Sequence, residues 1–219
     1  MTTLEPETKS RILDAAERLF GEQGVPGTSI RAVTVEAHVN VAAVHYHFGS
    51  KAALLRALVA RRVAPINRER LRLLNAVVRR SEAGEAPPIE EFVRAFLRPV
   101  FEGAQSDPDV RRVATILHSE PLEVVRPLLI DVFGEVATRF IAALGRALPQ
   151  LQPDEVALRF QFAIGVMVHV VSGRAGIELR PGEWGPGPSD DALLREMVGF
   201  VTAGLLAPGA VPEPGSSAG

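Results

Sequence analysis

Residues 28–51 read Thr28-Ser29-Ile30-Arg31-Ala32-Val33-Thr34-Val35-Glu36-Ala37-His38-Val39-Asn40-Val41-Ala42-Ala43-Val44-His45-Tyr46-His47-Phe48-Gly49-Ser50-Lys51, and the punctuation of this stretch decides the fold. Thr28 or Ser29 can cap a short helix through Ala37, because a hydroxyl oxygen accepts from a first-turn N–H that has no partner inside the helix. A turn from His38 to Asn40 leads to another short helix, Val41 to His47, which Gly49-Ser50 breaks. Ser50 then caps a long helix that begins at Lys51. Two short helices joined by a tight turn form the arrangement in which one helix crosses a DNA backbone and the next enters the major groove.

Outward from this stretch, helical periodicity is nearly continuous and strand signals are nearly absent. Upstream, Ile12, Ala16, Leu19 and Phe20 share one face of a helix that ends near Gly24. Three helices in about 50 residues make a marginal unit on their own. They are expected to pack on the long helix, residues 51–80, through Leu54, Leu55 and Leu58. Pro65 lies inside that helix and reads equally as a hinge or a static bend. After a linker at 81–88, further helices are expected over 89–105, 109–118, 121–148, 154–172 and 189–206. Asp107-Pro108 supplies a cap followed by proline at the first helical position. Residues 173–188, rich in glycine and proline, read as a loop, and 208–219 as a disordered tail. The expectation is an all-α chain of about nine helices: a helix-turn-helix unit over 1–50, a helical body over 51–207, and the tail.

Composition removes several function classes. The chain has no cysteine, so thiolate metal sites, disulfides and cysteine nucleophiles are excluded. It has no HExxH, no glycine-rich phosphate loop after a strand and no nucleophile elbow. The best acid–base cluster, His118 with Glu120 and Glu123, is weak, so an enzyme is the remote alternative and no cofactor is expected. The longest apolar run, Phe162 to Val168, falls short of the roughly 18 residues of a membrane span. The acidic, polar start Met1-Thr2-Thr3-Leu4-Glu5 is unlike a signal peptide, which points to the cytoplasm. Three of the five histidines, His38, His45 and His47, fall near the turn. His45 and His47 are two apart on a helix and face different directions, so no metal site is expected.

The strings Thr28-Ser29-Ile30-Arg31-Ala32-Val33 and Val44-His45-Tyr46-His47-Phe48-Gly49-Ser50-Lys51-Ala52-Ala53-Leu54 resemble the TetR/AcrR family of transcriptional regulators. Ile12-Leu13-Asp14-Ala15-Ala16-Glu17-Arg18-Leu19-Phe20 is similar to the same family's first helix. The resemblance covers residues 9–58. It implies phosphate contacts from His45, Tyr46, His47 and Lys51, whose donors suit phosphate oxygens. Thr28 can cap its helix and offer a hydroxyl to the backbone. Arg31 can reach a base edge or a phosphate. Val41, Ala42 and Ala43 open the recognition helix and are small enough for thymine methyls or a close shape fit. The chain departs from the family pattern at Val33-Thr34, at His45, and at His38, where a turn glycine is usual.

In the body, the last two helices are apolar nearly all round and must be covered on several sides. The resemblance implies a homodimer built from both, with Phe160, Ile164, Met167 and Val171 on one helix and Leu194, Met197, Val198, Val201 and Leu205 on the other. It also implies a palindromic operator in double-stranded DNA and release by a small apolar or amphipathic effector. The expected pocket lining is Phe96, Val100, Phe101, Ile116, His118, Phe133, Phe162 and His169. The alternative is a DNA-binding regulator with no small-molecule effector.

Net charge is −2, which argues against nucleic acid only as an average. Residues 1–50 carry net −2, residues 51–80 net +8, and residues 81–219 net −8. The basic charge is concentrated on the long helix, whose first turn adjoins the helix-turn-helix. Few phosphate contacts per subunit are expected, and binding should depend on dimerisation.

Overall fold

A computed structural model describes residues 4–172 and 189–209. Among these residues there are nine helices and no strand: α1 (Leu4–Gly27), α2 (Ile30–Glu36), α3 (Val41–Phe48), α4 (Lys51–Glu82), α5 (Ile89–Ser106), α6 (Pro108–Ser119), α7 (Leu122–Ala147), α8 (Pro153–Val171) and α9 (Asp190–Leu206). The fold is the expected all-α arrangement, an N-terminal helix-turn-helix followed by a helical body. The loop expected over 173–188 and the tail from residue 210 onward lie outside the described residues.

The caps set the boundaries. Ser29, rather than Thr28, caps α2, accepting from the Ala32 N–H at 3.0 Å. Asn40 caps α3 from its Oδ1 to the Ala43 N–H at 2.7 Å. Ser50 caps α4 through the Ala53 N–H at 3.1 Å. Asp107 caps α6 ahead of Pro108. Gly24 (φ 73°) interrupts α1 with a non-helical residue, which a side chain would strain. His38 (φ 51°) occupies the left-handed conformation that makes the α2–α3 turn, the geometry for which glycine is usual. α4 continues unbroken through Pro65.

Two buried clusters result. The first joins Ile12, Ala16 and Phe20 of α1, Val33, Val44, and Leu54, Leu55 and Leu58 of α4. It is not closed by the first three helices alone, because Val113 and Ile116 of α6 and Leu128 of α7 also enter it. The second cluster fills the body between α4, α5, α7, α8 and α9. Its centre is three rings, with Phe96 at 5.3 Å from Phe140 and 4.8 Å from Phe160 between centroids.

A polar network ties the two clusters together. Glu17 on α1 is only 2% exposed. It accepts from Arg61 Nη2 at 2.7 Å and from Arg62 Nη2 at 2.6 Å. Arg62 also donates to Asp107 at 2.8 Å and Asp109 at 2.6 Å, at the N-terminus of α6. Hydrogen bonding to Glu17 raises the Arg62 pKa above the ordinary arginine value, against the opposing effect of burial. At the other end of α6, Glu120 Oε1 accepts the Val25 N–H at 2.8 Å, just past the Gly24 break. α6 is therefore fastened to α1 at both of its ends.

Candidate nucleic-acid interface

The outer face of α3 and the adjoining starts of α2 and α4 carry the groups expected to meet DNA. Val44 points inward and anchors α3, while Val41, Ala42, His45 and Tyr46 point outward. Tyr46 is 76% exposed. Ala43 and His47 are half-buried, and His47 lies edge-on to the Tyr46 ring at 5.1 Å between centroids. His45 Nδ1 donates to the Gly49 carbonyl at 3.1 Å, which leaves Nε2 facing outward. Arg31 is exposed on the first turn of α2. Arg31 on the first turn of α2, Val41, Ala42, Ala43, His45, Tyr46 and His47 on α3 and Lys51 at the start of α4 thus stand on three helices that adjoin one another.

Thr28 and Lys51 do something different from what their residue types suggest. Thr28 is buried, and its hydroxyl donates inward to the Leu19 carbonyl at 3.1 Å and the Gly24 carbonyl at 2.9 Å. It closes the α1–α2 turn and presents no hydroxyl to a phosphate. Lys51 Nζ donates to the Thr28 carbonyl at 2.8 Å and the Pro26 carbonyl at 3.4 Å. The ammonium is pinned over the turn, with one of its three protons left for an anion.

In the body, the expected pocket residues do not converge. Phe96, Val100 and Phe101 belong to the body core, whereas Ile116 is in the N-terminal cluster and Phe133 packs against it. His118, His169 and Phe162 are exposed, Phe162 at 62%. What the body does have is an open cleft of about 610 Å3 between α4 and α7, lined in part by Arg56, Asn67, Arg68, Leu71, Val132 and Val136. Arg56 pairs with Asp131 across it at 2.5 Å. The void among Phe92, Phe96, Phe160 and Leu205 measures only about 10 Å3, no more than one water needs.

The expected dimer residues also need correcting. Phe160, Met167, Val171, Met197, Val198, Val201 and Leu205 are buried in this chain's own core, and Ile164 and Leu194 are half-buried. Seven of the nine therefore cannot meet a second subunit without unpacking the first. The opposite faces are the open ones. Leu158, Phe162 and Gly165 on α8 and Phe200, Ala203 and Leu206 on α9 are exposed, Phe200 at 70%. A Cβ placed on Gly165, Gly199 or Gly204 meets nothing within 4 Å.

Two groups escaped the sequence reading, Glu17 and Arg70. Each stands on an apolar stripe: Glu17 follows Leu13 by four, and Arg70 falls between Ile66 and Leu74 in the run Val63-Ile66-Arg70-Leu74-Val77. A charge in register with a buried face was the available signal. No helix among the described residues is long and apolar enough to cross a membrane.

Comparison with known proteins bears on both halves of the chain. Residues 12–58 match the family described as "Bacterial regulatory proteins, tetR family", and residues 94–204 match "Tetracyclin repressor-like, C-terminal domain". The regulator BetI of Rhizobium meliloti is 27% identical over 156 residues, covering 70% of this chain and 72% of that protein. The regulator TtgR of Pseudomonas putida is 30% identical over 112 residues, about half of each chain (51% and 50%). Among solved structures, NalD of Pseudomonas aeruginosa, a repressor of a multidrug efflux pump, superposes with a TM-score of 0.65 at 21% identity, covering 91% of this chain and 97% of NalD.

Proposed function

Because this chain belongs to the TetR family of DNA-binding transcriptional regulators, we propose that it acts in the cytoplasm as a homodimeric repressor of a palindromic operator, released by a small effector. The single observation that carries this is the exposed polar face of α3, with Tyr46 76% exposed beside Arg31, His45 and Lys51. The DNA-binding unit is taken as residues 1–50, set on the start of α4. The effector-binding and dimerising body is taken as 51–207.

Arg31 is assigned to a base edge or a phosphate, and Tyr46, His47 and the remaining Lys51 proton to phosphates; His45 joins them through Nε2 when its ring carries both protons, since Nδ1–H is held by the Gly49 carbonyl. Val41, Ala42 and Ala43 are assigned to close contact in the major groove. The dimer is proposed to form through the open faces of α8 and α9, around Phe162 and Phe200, with Gly165, Gly199 and Gly204 allowing helices of two copies to approach closely. Two recognition helices then stand roughly 34–36 Å apart, one turn of DNA. An effector acts only through its different affinity for the bound and released spacings. The fastening of α6 to α1 through Arg62 and Glu120 carries that change to the recognition helix.

A second reading, a regulator with no small-molecule effector, is favoured by the tight aromatic core, whose void is about 10 Å3. Against it stands the α4–α7 cleft of about 610 Å3.

The test is footprinting on the DNA flanking the gene. Protection of two half-sites one turn apart is expected. Arg31→Ala and Tyr46→Ala should each weaken binding, Arg31→Ala by about 1–3 kcal/mol where it meets a base edge and Tyr46→Ala alike on every sequence, as a phosphate contact does. Unchanged affinity and an unchanged salt slope in both variants would overturn the assignment.

A further inference from the structure

Arg70 is 1% exposed, at the centre of the body, where α4 meets α5 and α8. Its Nε donates to the Phe96 carbonyl at 2.8 Å, Nη1 to Asn67 Oδ1 at 3.2 Å and Nη2 to the Met167 sulfur at 2.9 Å. The guanidinium carbon lies 4.4 Å from the centre of the Phe96 ring. Every one of these partners is neutral. No carboxylate of a described residue pairs with it, although Arg61 and Arg62 on the same helix hold several. A fully buried, uncompensated cation is among the most costly features a core can hold. A structural cross-link between helices needs donors but not a charge, so cross-linking alone does not account for an arginine here.

We infer that Arg70 is the counter-ion for an acidic effector, a monocarboxylate on an apolar body. The inference rests on the effector-released reading above. The arrangement of partners says which edge of the guanidinium is used. Nε holds the strong acceptor, a backbone carbonyl. Nη1 and Nη2 hold the weak ones, a side-chain amide at the longer distance and a thioether. A carboxylate replaces these two end-on with a pair of charge-assisted hydrogen bonds. A single negative charge balances a single arginine. A phosphate dianion would bring a second charge that no other buried cation at this site meets.

The route to Arg70 is short. Asn67 Oδ1 accepts from Arg70, its Nδ2 donates to the Val132 carbonyl at 2.8 Å, and the same side chain lines the 610 Å3 cleft between α4 and α7. One amide therefore touches both the cleft and the buried cation. Turning it would join the two, and Leu71, Val132 and Val136 offer the apolar surface for the rest of the molecule, on the cleft wall that also carries Asp131 and Glu135. Burial lowers the Arg70 pKa to about 9, still above neutral, so the charge is present when the acid arrives. Entry there displaces α4 about two turns from Arg62, which holds α1 through Glu17.

The experiment uses the full chain and three probes with one tail (decanoate, decanol and decylamine), with 2-naphthoate as a second acid. Thermal melts and operator release are read on the same samples. At least one acid should raise Tm by several degrees in a concentration-dependent way, as ligands that bind only the folded state do, and should release the operator. Decanol and decylamine should not. Arg70→Met should fold, melt no lower than wild type, and lose the acid response. Arg70→Lys, which loses the paired donors and sheds its proton more readily when buried, should bind the acid at least tenfold more weakly.

The inference is overturned if neither acid shifts Tm, if decanol does as much as decanoate, or if both Arg70 variants respond like wild type. Release by decanol but not by the acids would retain an effector-controlled repressor and remove the anion site. Failure of the wild type to footprint any DNA would remove the repressor reading, while the melts still decide whether Arg70 binds acids.

Discussion

Two arginine sites on one helix, about two turns apart, are solved in opposite ways. Arg61 and Arg62 face Asp14, Glu17, Asp107 and Asp109, so the buried Glu17 carboxylate is matched from two sides and the helix-turn-helix is locked to α6. Arg70 is more deeply buried and faces only a carbonyl, an amide, a sulfur and a ring. The first site has its counter-charges inside the chain and holds the structure together. The second lacks one, and such sites, where stability is given up locally, are where ligands are expected.

The comparison can be broken at its stronger end first. Arg62→Met leaves Glu17 with one arginine, Asp107 with none and Asp109 with Arg112 alone. Because stripping one partner from a buried pair exposes the other's desolvation cost, urea unfolding should show a loss of about 3 kcal/mol. A loss under about 0.5 kcal/mol would mean the network does not fasten the two units. Next, Met167→Glu gives Arg70 an internal carboxylate within reach of Nη2. Stability should change by less than about 2 kcal/mol, because the new carboxylate's desolvation offsets its attraction to Arg70, and the response to acids should vanish. Retention of that response would mean the acid binds elsewhere. The smallest effect is that of salt. Arg61 and Arg62 are partly exposed, so 1 M salt should cost their network less than about 1 kcal/mol, seen as the part of the salt effect that Arg62→Met removes.

Much of the fold was legible because helices announce themselves locally. Asn40, Ser50 and Asp107-Pro108 cap where their residue types say they should. Leu54, Leu55 and Leu58 sit on the stripe that receives the first three helices. His38 takes the left-handed turn because chain reversal there demands it, whatever residue is present. The outward turn of Arg31, Val41, Ala42, His45 and Tyr46 was legible too, whereas the Thr28 hydroxyl turns inward to close a turn that only the three-dimensional path reveals.

The body resisted for a different reason. When a helix is apolar on every side, periodicity carries no phase, so Phe160 and Phe162 cannot be assigned to inside and outside from spacing. The structure turns Phe160 into the aromatic core and Phe162 outward. Convergence of pocket residues depends on how five helices cross, and no local pattern encodes it. Arg70 was visible as a charge on an apolar stripe, but its lack of a carboxylate partner is a property of the packed core.

The most direct test is the unfolding free energy of Arg70→Met at neutral pH, beside wild type, with and without decanoate. Without the acid, the variant should be as stable as wild type or more so, by up to about 3 kcal/mol, because methionine fills the space without the charge. With the acid, wild type alone should gain stability. A variant that is markedly less stable without ligand, and that gains as much from decanoate as wild type does, would make Arg70 an ordinary structural cross-link and contradict the account.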